Sequence, residues 1–128
     1  MKYSIRNLAF LIALTILSSC ALTANYGPDA KENKTQIRTF ESTFDSVYRA
    51  AVQVAAEQNW SIKNSEKSAG YFMAETPRSM KAWSDEVNVT ISEEKGLIKV
   101  TVKSNLGQKP NREVVSKYLT ALEQRISQ

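Results

Sequence analysis

The sequence predicts an α+β domain of two layers, in which two helices cover one face of an antiparallel sheet. Two observations favour this class. Several segments alternate apolar and polar residues, as strands with one dry face do, and two longer segments repeat apolar residues at helical spacing. The predicted order is strand, helix, four strands, helix (β-α-β-β-β-β-α). Because the helices supply the cover that a one-sided sheet needs, residues 36–128 are predicted to form a single domain.

The first predicted strand covers residues 36–41, and a helix capped by Ser42 or Thr43 follows it. This helix is expected to end near Gln58, since Asn59 suits a left-handed exit. Its apolar stripe consists of Phe44, Val47, Tyr48, Ala51, Val54 and Ala55.

Alternation predicts further strands at residues 60–63, 87–91 and 98–102. A polar turn is expected at 65–70, and a tight turn at 93–96 contains a glycine that can take a positive φ. The last two strands therefore form a predicted hairpin.

The strand predicted at residues 70–76 has large apolar side chains at both parities. We assign Phe72 and Ala74 to the helix-covered face, and Tyr71 and Met73 to the opposite face. Neighbouring strand residues point to opposite faces, so this choice decides which side chains enter the core.

A polar link at residues 105–111 leads into the final predicted helix, with Asn111 as its N-cap. The apolar face of this helix consists of Val115, Tyr118, Leu119, Leu122 and Ile126.

The beginning of the chain has the layout of a secretory signal peptide. Lys2 and Arg6 precede an apolar run at residues 8–17, and small residues follow it. The run is about ten residues long, whereas a membrane-spanning helix needs roughly 20. The segment is therefore predicted to direct export rather than to span the bilayer.

Leu17-Ser18-Ser19-Cys20 resembles the lipobox of bacterial outer-membrane lipoproteins. The resemblance implies that residues 1–19 are removed, and that Cys20 carries a diacylglycerol on sulfur and an acyl chain on its amino group. The alternative is an ordinary signal peptide with an incidental cysteine. An unpaired exported thiol is a liability, so we favour lipidation, and we expect no cofactor besides this covalent lipid.

Residues 20–35 contain few large apolar groups and are expected to form the lipidated N-terminus and a flexible tether. In the lipoproteins that the lipobox resembles, Asp after the cysteine favours retention in the inner membrane. Ala21 occupies that position here, so the resemblance implies an outer-membrane protein that faces the periplasm.

Composition excludes several classes of function. The chain has no histidine, and its one cysteine is assigned to the lipid anchor. This excludes zinc sites of the usual Cys/His kind, His-based triads and cysteine catalysis. Loss of Lys2 and Arg6 lowers 17 basic residues to 15 against 13 acidic ones, and a net charge of +2 gives no reason to invoke nucleic acid.

Two pairs of adjacent carboxylates, Asp85-Glu86 and Glu93-Glu94, are the remaining candidates for acid–base chemistry. Neighbours on an extended chain point to opposite faces, so neither pair is arranged to share a proton. We therefore predict no catalytic or metal-binding residues and a protein that is not an enzyme.

The domain is similar to the helix-grip domains of BamC-type lipoproteins. Residues 60–62 and 69–74 resemble a sequence pattern that recurs in such domains. The pattern consists of an apolar strand, a polar turn and a glycine before the next strand. The second domain copy and the long N-terminal segment of that family have no counterpart here, so no binding residues are transferred.

Two sets of residues are candidates for binding a partner. Tyr71 and Met73 share the predicted helix-free face with Lys63, Lys99, Thr101 and Lys103. One interpretation is that this face is simply solvated. The other is that it is a docking surface, which is favoured by the enrichment of Tyr and Met in interface cores.

The second set, Arg78, Lys81 and Trp83, forms a basic aromatic loop that could contact anionic lipid or a partner protein. Packing in the core or at its rim is the simpler interpretation of Trp83, as it is of Trp60.

The sequence thus predicts a non-enzymatic envelope lipoprotein, an accessory or scaffold component that docks another envelope protein. The alternative is a periplasmic module that holds an apolar ligand between its helices and sheet. Large aromatic residues are expected to fill that space, which favours docking.

Overall fold

Five strands and two helices make up the part of the chain, residues 34–128, that the computed structural model describes. The predicted α+β class and element order are confirmed. The signal peptide, the lipobox and nearly all of the predicted tether lie outside the described residues. The elements are β1 (Thr35–Phe40), α1 (Phe44–Glu57), β2 (Ser61–Glu66), β3 (Tyr71–Glu75), β4 (Glu86–Glu94), β5 (Leu97–Ser104) and α2 (Lys109–Ile126).

The strands form one antiparallel sheet in the order β1-β5-β4-β3-β2. The pairing of residues between neighbouring strands gives the sheet two distinct ends. The loop end is made of residues 34–35, 58–61, 75–86 and 103–112. The hairpin end is made of residues 40–45, 66–71 and 92–98.

The core lies between the helices and one face of the sheet. Its largest fully buried side chains come from both layers: Tyr118, Phe72, Ile98, Leu119, Leu122, Val47, Val54, Val87, Val89, Val100, Val102 and Val115. Full burial of such a side chain stabilises the fold by about 1.5–3 kcal/mol. The predicted inward faces of both helices and of β3 to β5 are confirmed.

Tyr118 ties the two helices to the start of β2. Its ring stacks on Trp60 with centroids 4.4 Å apart, and its hydroxyl donates a 2.8 Å hydrogen bond to the carbonyl of Ala51. Burial raises the pKa of the Tyr118 phenol because the charged form would lose its hydration. The predicted core position of Trp60, which is 5% exposed, is confirmed.

The two ends of α1 and the tight turn between β4 and β5 also agree with the prediction. Thr43 caps α1 by accepting a hydrogen bond from the Ser46 amide at 3.2 Å, and Asn59 leaves the helix with φ 61°. At the β4–β5 turn Lys95 and Gly96 have φ 53° and 77°. Two positive φ values in succession match the right-handed twist of the flanking strands.

Gly70, before β3, is required by the backbone of β4. Its φ is 64°, and a Cβ there would lie 2.1 Å from the Ile91 carbonyl oxygen. The Gly70 carbonyl accepts a 2.6 Å hydrogen bond from the Ile91 amide. A side chain would therefore separate two strands that the backbone joins.

β2 differs from its prediction. It runs over Ser61–Glu66 rather than 60–63, and the predicted turn at 65–70 contracts to a 3-10 turn, Lys67–Ala69. The register of β2 against β3 shifts between Ile62 and Asn64. Residues 63–66 are all exposed, so backbone pairing holds this edge segment without the apolar alternation from which strands are predicted.

The predicted N-cap of the last helix was also wrong. α2 begins at Lys109, with Gln108 as its N-cap and Pro110 in the first turn, where the missing amide hydrogen is tolerated. Asn111 lies inside the helix and is buried. Its side chain bonds a loop instead of capping the helix.

Candidate functional site

The sheet face turned away from α1 and α2, here called the open face, carries the first set of predicted site residues. Tyr71 and Met73 lie on it and are half-buried, whereas Phe72 and Ala74, of opposite parity, are fully buried under the helices. The parity chosen for β3 is therefore confirmed.

Tyr71 is fixed in place on the open face. Its hydroxyl donates a 2.8 Å hydrogen bond to Oδ1 of Asn88 on β4, and Asn88 is also the register partner of Met73. Across the sheet Tyr71 is in register with Thr90, and Thr90 with Thr101. The centre of the open face thus combines an ordered phenol, a thioether and small hydroxyl residues.

Lysines border this centre, as their predicted placement on the face requires. Lys99 forms an ion pair with Glu94 at 3.4 Å, and Lys63 forms one with Glu75 at 3.8 Å. Lys103 is exposed at the loop end. Both pairs are solvent-exposed and contribute about 0–1 kcal/mol each, so these lysines supply charge rather than stability.

The second set of predicted residues lies in the β3–β4 loop, residues 76–85. Two hydrogen bonds close its base, from the Thr76 amide to the Asp85 carbonyl at 2.8 Å and from the Asp85 amide to Thr76 Oγ1 at 2.9 Å. Near the tip, the Ser79 amide donates to the Ala82 carbonyl at 2.8 Å, and Ala82 is buried. Hydrogen bonds therefore order the base of the loop, and the buried side chain of Ala82 holds its tip against the domain.

Arg78 and Trp83 come together within this loop. The Arg78 guanidinium carbon lies 4.4 Å from the centroid of the Trp83 ring, a cation–π arrangement. Trp83 is 60% exposed, so the preferred interpretation, packing in or around the core, was wrong for this residue. Lys81 is exposed, and residues 78–83 surround an open depression of about 590 Å³.

The five predicted partner-binding residues thus divide between two surfaces. Tyr71 and Met73 belong to the open face, and Arg78, Lys81 and Trp83 to the β3–β4 loop at the loop end.

A buried carboxylate supports the loop, a role that was not predicted for Asp85 from the sequence. Asp85 is 2% exposed; its carboxylate accepts hydrogen bonds from the Ser104 hydroxyl and from the amides of Asn105 and Leu106, at 3.2 and 3.1 Å. The signal lay in the alternation: Asp85 precedes the inward Val87 by two positions, which places both on the same face.

Asn111 supports the loop from the helix side. Its Nδ2 donates a 2.9 Å hydrogen bond to the Trp83 carbonyl, and its Oδ1 is buried without a hydrogen-bond partner within residues 34–128. An amide inside the first turn of a helix carries no recognisable sequence signal for such a contact. Asp85 and Asn111 are thus positioning residues for the loop backbone.

Among residues 34–128, no three His, Cys, Asp or Glu side chains lie close enough together to hold a metal ion. Within the same residues, neither helix combines the length and apolar composition needed to cross a membrane. No family model matches this chain, and a search of curated proteins finds no significant match.

Proposed function

We propose that this protein is a non-enzymatic lipoprotein of the bacterial outer membrane, anchored through lipid on Cys20 and facing the periplasm. In this proposal the domain docks another envelope protein through its open face, as an accessory or scaffold component. The observation that carries the docking role is the open face itself, where Tyr71 and Met73 lie half-buried on β3 and are covered by neither helix.

The composition of the open face supports a protein partner. Tyr71 has a rigid aromatic ring with its hydroxyl already bonded to Asn88, so little conformational freedom is lost on binding. Methionine adapts its shape to a partner surface. The flanking lysines would form a polar rim around these residues, as interfaces commonly have.

The aromatic packing of the interior disfavours the alternative function, in which an apolar ligand is held between the helices and the sheet. Phe72 and Tyr118 are fully buried there, and the Phe72 ring meets Tyr48 edge-on with centroids 6.2 Å apart. A ligand in this layer would have to displace aromatic side chains that already fill it. The domain can be produced without Cys20 and its covalent lipid. A stoichiometric non-covalent lipid found on it by native mass spectrometry would reverse this preference.

The anchor is tested by metabolic labelling with palmitate. The label should be incorporated in the wild type and lost in Cys20→Ala, which should also leave the membrane fraction. Incorporation of the label into the alanine variant would contradict the lipoprotein assignment.

Docking is tested by site-specific photocrosslinking in cells. A photoreactive residue at Thr90, on the open face, should give one discrete adduct, whereas the same residue at Ala56, on the exposed side of α1, should not. The adduct should disappear in Tyr71→Thr combined with Met73→Thr, which keeps strand-forming side chains but removes the apolar surface. An adduct that survives this double change would place the partner elsewhere.

A further inference from the structure

Exposed large apolar side chains are confined to the loop end in the described part of the chain. Met80 is fully exposed, Trp83 is 60% exposed and Leu106 is 41% exposed. Met80 and Trp83 belong to the β3–β4 loop, and Leu106 to the link between β5 and α2. Isolated exposed apolar residues are ordinary, whereas a group at one end of a domain marks an interaction surface.

Buried polar contacts hold these residues on one surface. The Asp85 carboxylate, two positions from Trp83, accepts a 3.1 Å hydrogen bond from the Leu106 amide. Asn111 of α2 donates a 2.9 Å hydrogen bond to the Trp83 carbonyl. The loop and the link therefore present their apolar side chains from a common scaffold.

The charge of the loop end complements an anionic surface. Its residues include Lys34, Arg78, Lys81, Lys103, Lys109 and Arg112. Two of its three acidic groups contribute little negative charge, since Asp85 is buried and Glu75 pairs with Lys63. The third, Glu86, is exposed. The hairpin end has the opposite balance, with Glu41, Asp45, Glu66, Glu93 and Glu94 against Lys67 and Lys95. A negative surface would therefore attract the loop end and repel the hairpin end.

The chain enters the domain at the same end. The Lys34 carbonyl accepts a 2.7 Å hydrogen bond from the Ser104 amide, and Thr35 pairs with Lys103. From Cys20 to Lys34 the backbone spans at most about 50 Å. A lipid on Cys20 would hold the loop end within this distance of the membrane.

We infer that the loop end is a membrane-contact patch, in which Met80, Trp83 and Leu106 enter the headgroup region of an anionic bilayer while Arg78, Lys81 and Lys109 bind its phosphates. This inference rests on the proposed lipid anchor. Its chemistry follows from the residues: tryptophan prefers the membrane–water interface, and a basic residue near an anionic surface strengthens binding about fivefold. Arg78 lies over the Trp83 ring, so both act at the same depth.

The test uses the full lipidated chain reconstituted in phosphatidylcholine vesicles with and without about one-third phosphatidylglycerol. Trp83 emission is measured as wild type minus Trp83→Phe, which removes the signal of buried Trp60. A phosphatidylcholine brominated on its acyl chain reports contact with the bilayer. We expect quenching of Trp83 in the anionic vesicles only. For Arg78→Glu with Lys81→Glu we expect the ratio of contacting to non-contacting protein to fall at least about twentyfold. The matched control, Lys67→Glu with Lys95→Glu at the hairpin end, should leave quenching unchanged.

Cosedimentation separates the possible failures. If the protein cosediments with vesicles but Trp83 is never quenched, the patch is wrong and the anchor stands. If Cys20 carries no lipid while Trp83 is still quenched in anionic vesicles, the anchor is wrong and the patch stands. Trp83 protection found only in native envelope membranes, not in lipid vesicles, would assign the loop end to a protein partner and overturn the inference.

Discussion

The two ends of the sheet connect neighbouring antiparallel strands in different ways. At the hairpin end, β4 and β5 are joined by Lys95 and Gly96, whose positive φ values complete the turn locally. At the loop end, β3 and β4 are joined by ten residues whose base is held by side chains from β5 and α2. The first connection depends on neighbouring residues, and the second depends on residues far away in sequence.

This difference also separates the surfaces. The hairpin end is acidic, and its two-residue turn leaves little chain to expose. The loop end is basic and presents exposed Met80 and Trp83, because a long loop anchored at its base can hold apolar side chains out of the core. A surface of this kind depends on buried polar residues such as Asp85, and substitutions at both ends can test that dependence.

Among changes in the two kinds of connection, the largest effect is expected for Asp85→Ala. The change leaves the Ser104 hydroxyl and two amides without their acceptor, and we expect a loss of about 4 kcal/mol in the free energy of unfolding. Denaturant unfolding measures it. Asp85→Asn, which keeps an acceptor oxygen, should lose less than half as much. A loss below 1 kcal/mol for Asp85→Ala would mean that the loop end does not depend on this carboxylate.

Two glycines at the hairpin end offer an internally matched comparison. Gly70→Ala combines a positive φ with a Cβ 2.1 Å from a carbonyl oxygen, and we expect it to cost about 3 kcal/mol. Gly96→Ala has the same φ strain but no atom within 4 Å of the new Cβ, so about 1 kcal/mol is expected. Equal denaturation midpoints for the two variants would contradict the close approach of Gly70 to β4.

A smaller effect is expected for Asn111→Ala, which removes the hydrogen bond to the Trp83 carbonyl. Because the Asn111 Oδ1 has no hydrogen-bond partner within residues 34–128, only the bond of Nδ2 is lost there, and we expect a cost of about 1 kcal/mol. Amide hydrogen exchange should accelerate in the β3–β4 loop but not at the β4–β5 turn. Uniform acceleration at both ends would contradict a local supporting role.

The smallest effect is expected for Trp83→Ala, which should change the free energy of unfolding by no more than about 0.5 kcal/mol. Trp60→Ala, at the buried partner of Tyr118, should by contrast cost about 3–5 kcal/mol. Thermal unfolding of both variants measures the difference. A large loss for Trp83→Ala would place its ring in the fold rather than on the contact surface.

Alternation and helical periodicity predicted most of the core, because apolar residues such as Val87 and Val89 recur at the spacing that places them on one face. They did not predict the buried positions Phe40, Ala50 and Ala82. Turn chemistry was equally local at Asn59 and Gly96. The extent of β2 could not be predicted, since its exposed polar residues 63–66 are held by backbone pairing.

The support of the candidate site was harder to predict than the core. The Trp83 carbonyl accepts a hydrogen bond from Asn111, 28 positions away in sequence, and no local pattern reports such a contact. The roles proposed for Cys20, the open face and the β3–β4 loop remain predictions for the experiments described.

The pairing of β1 with β5 has a consequence for the order in which the chain folds. Thr35 and Lys103, 68 positions apart, are register partners, so β1 cannot be paired until nearly the whole domain has been synthesised or exported. The β4–β5 hairpin closes a far shorter loop and is expected to form earlier.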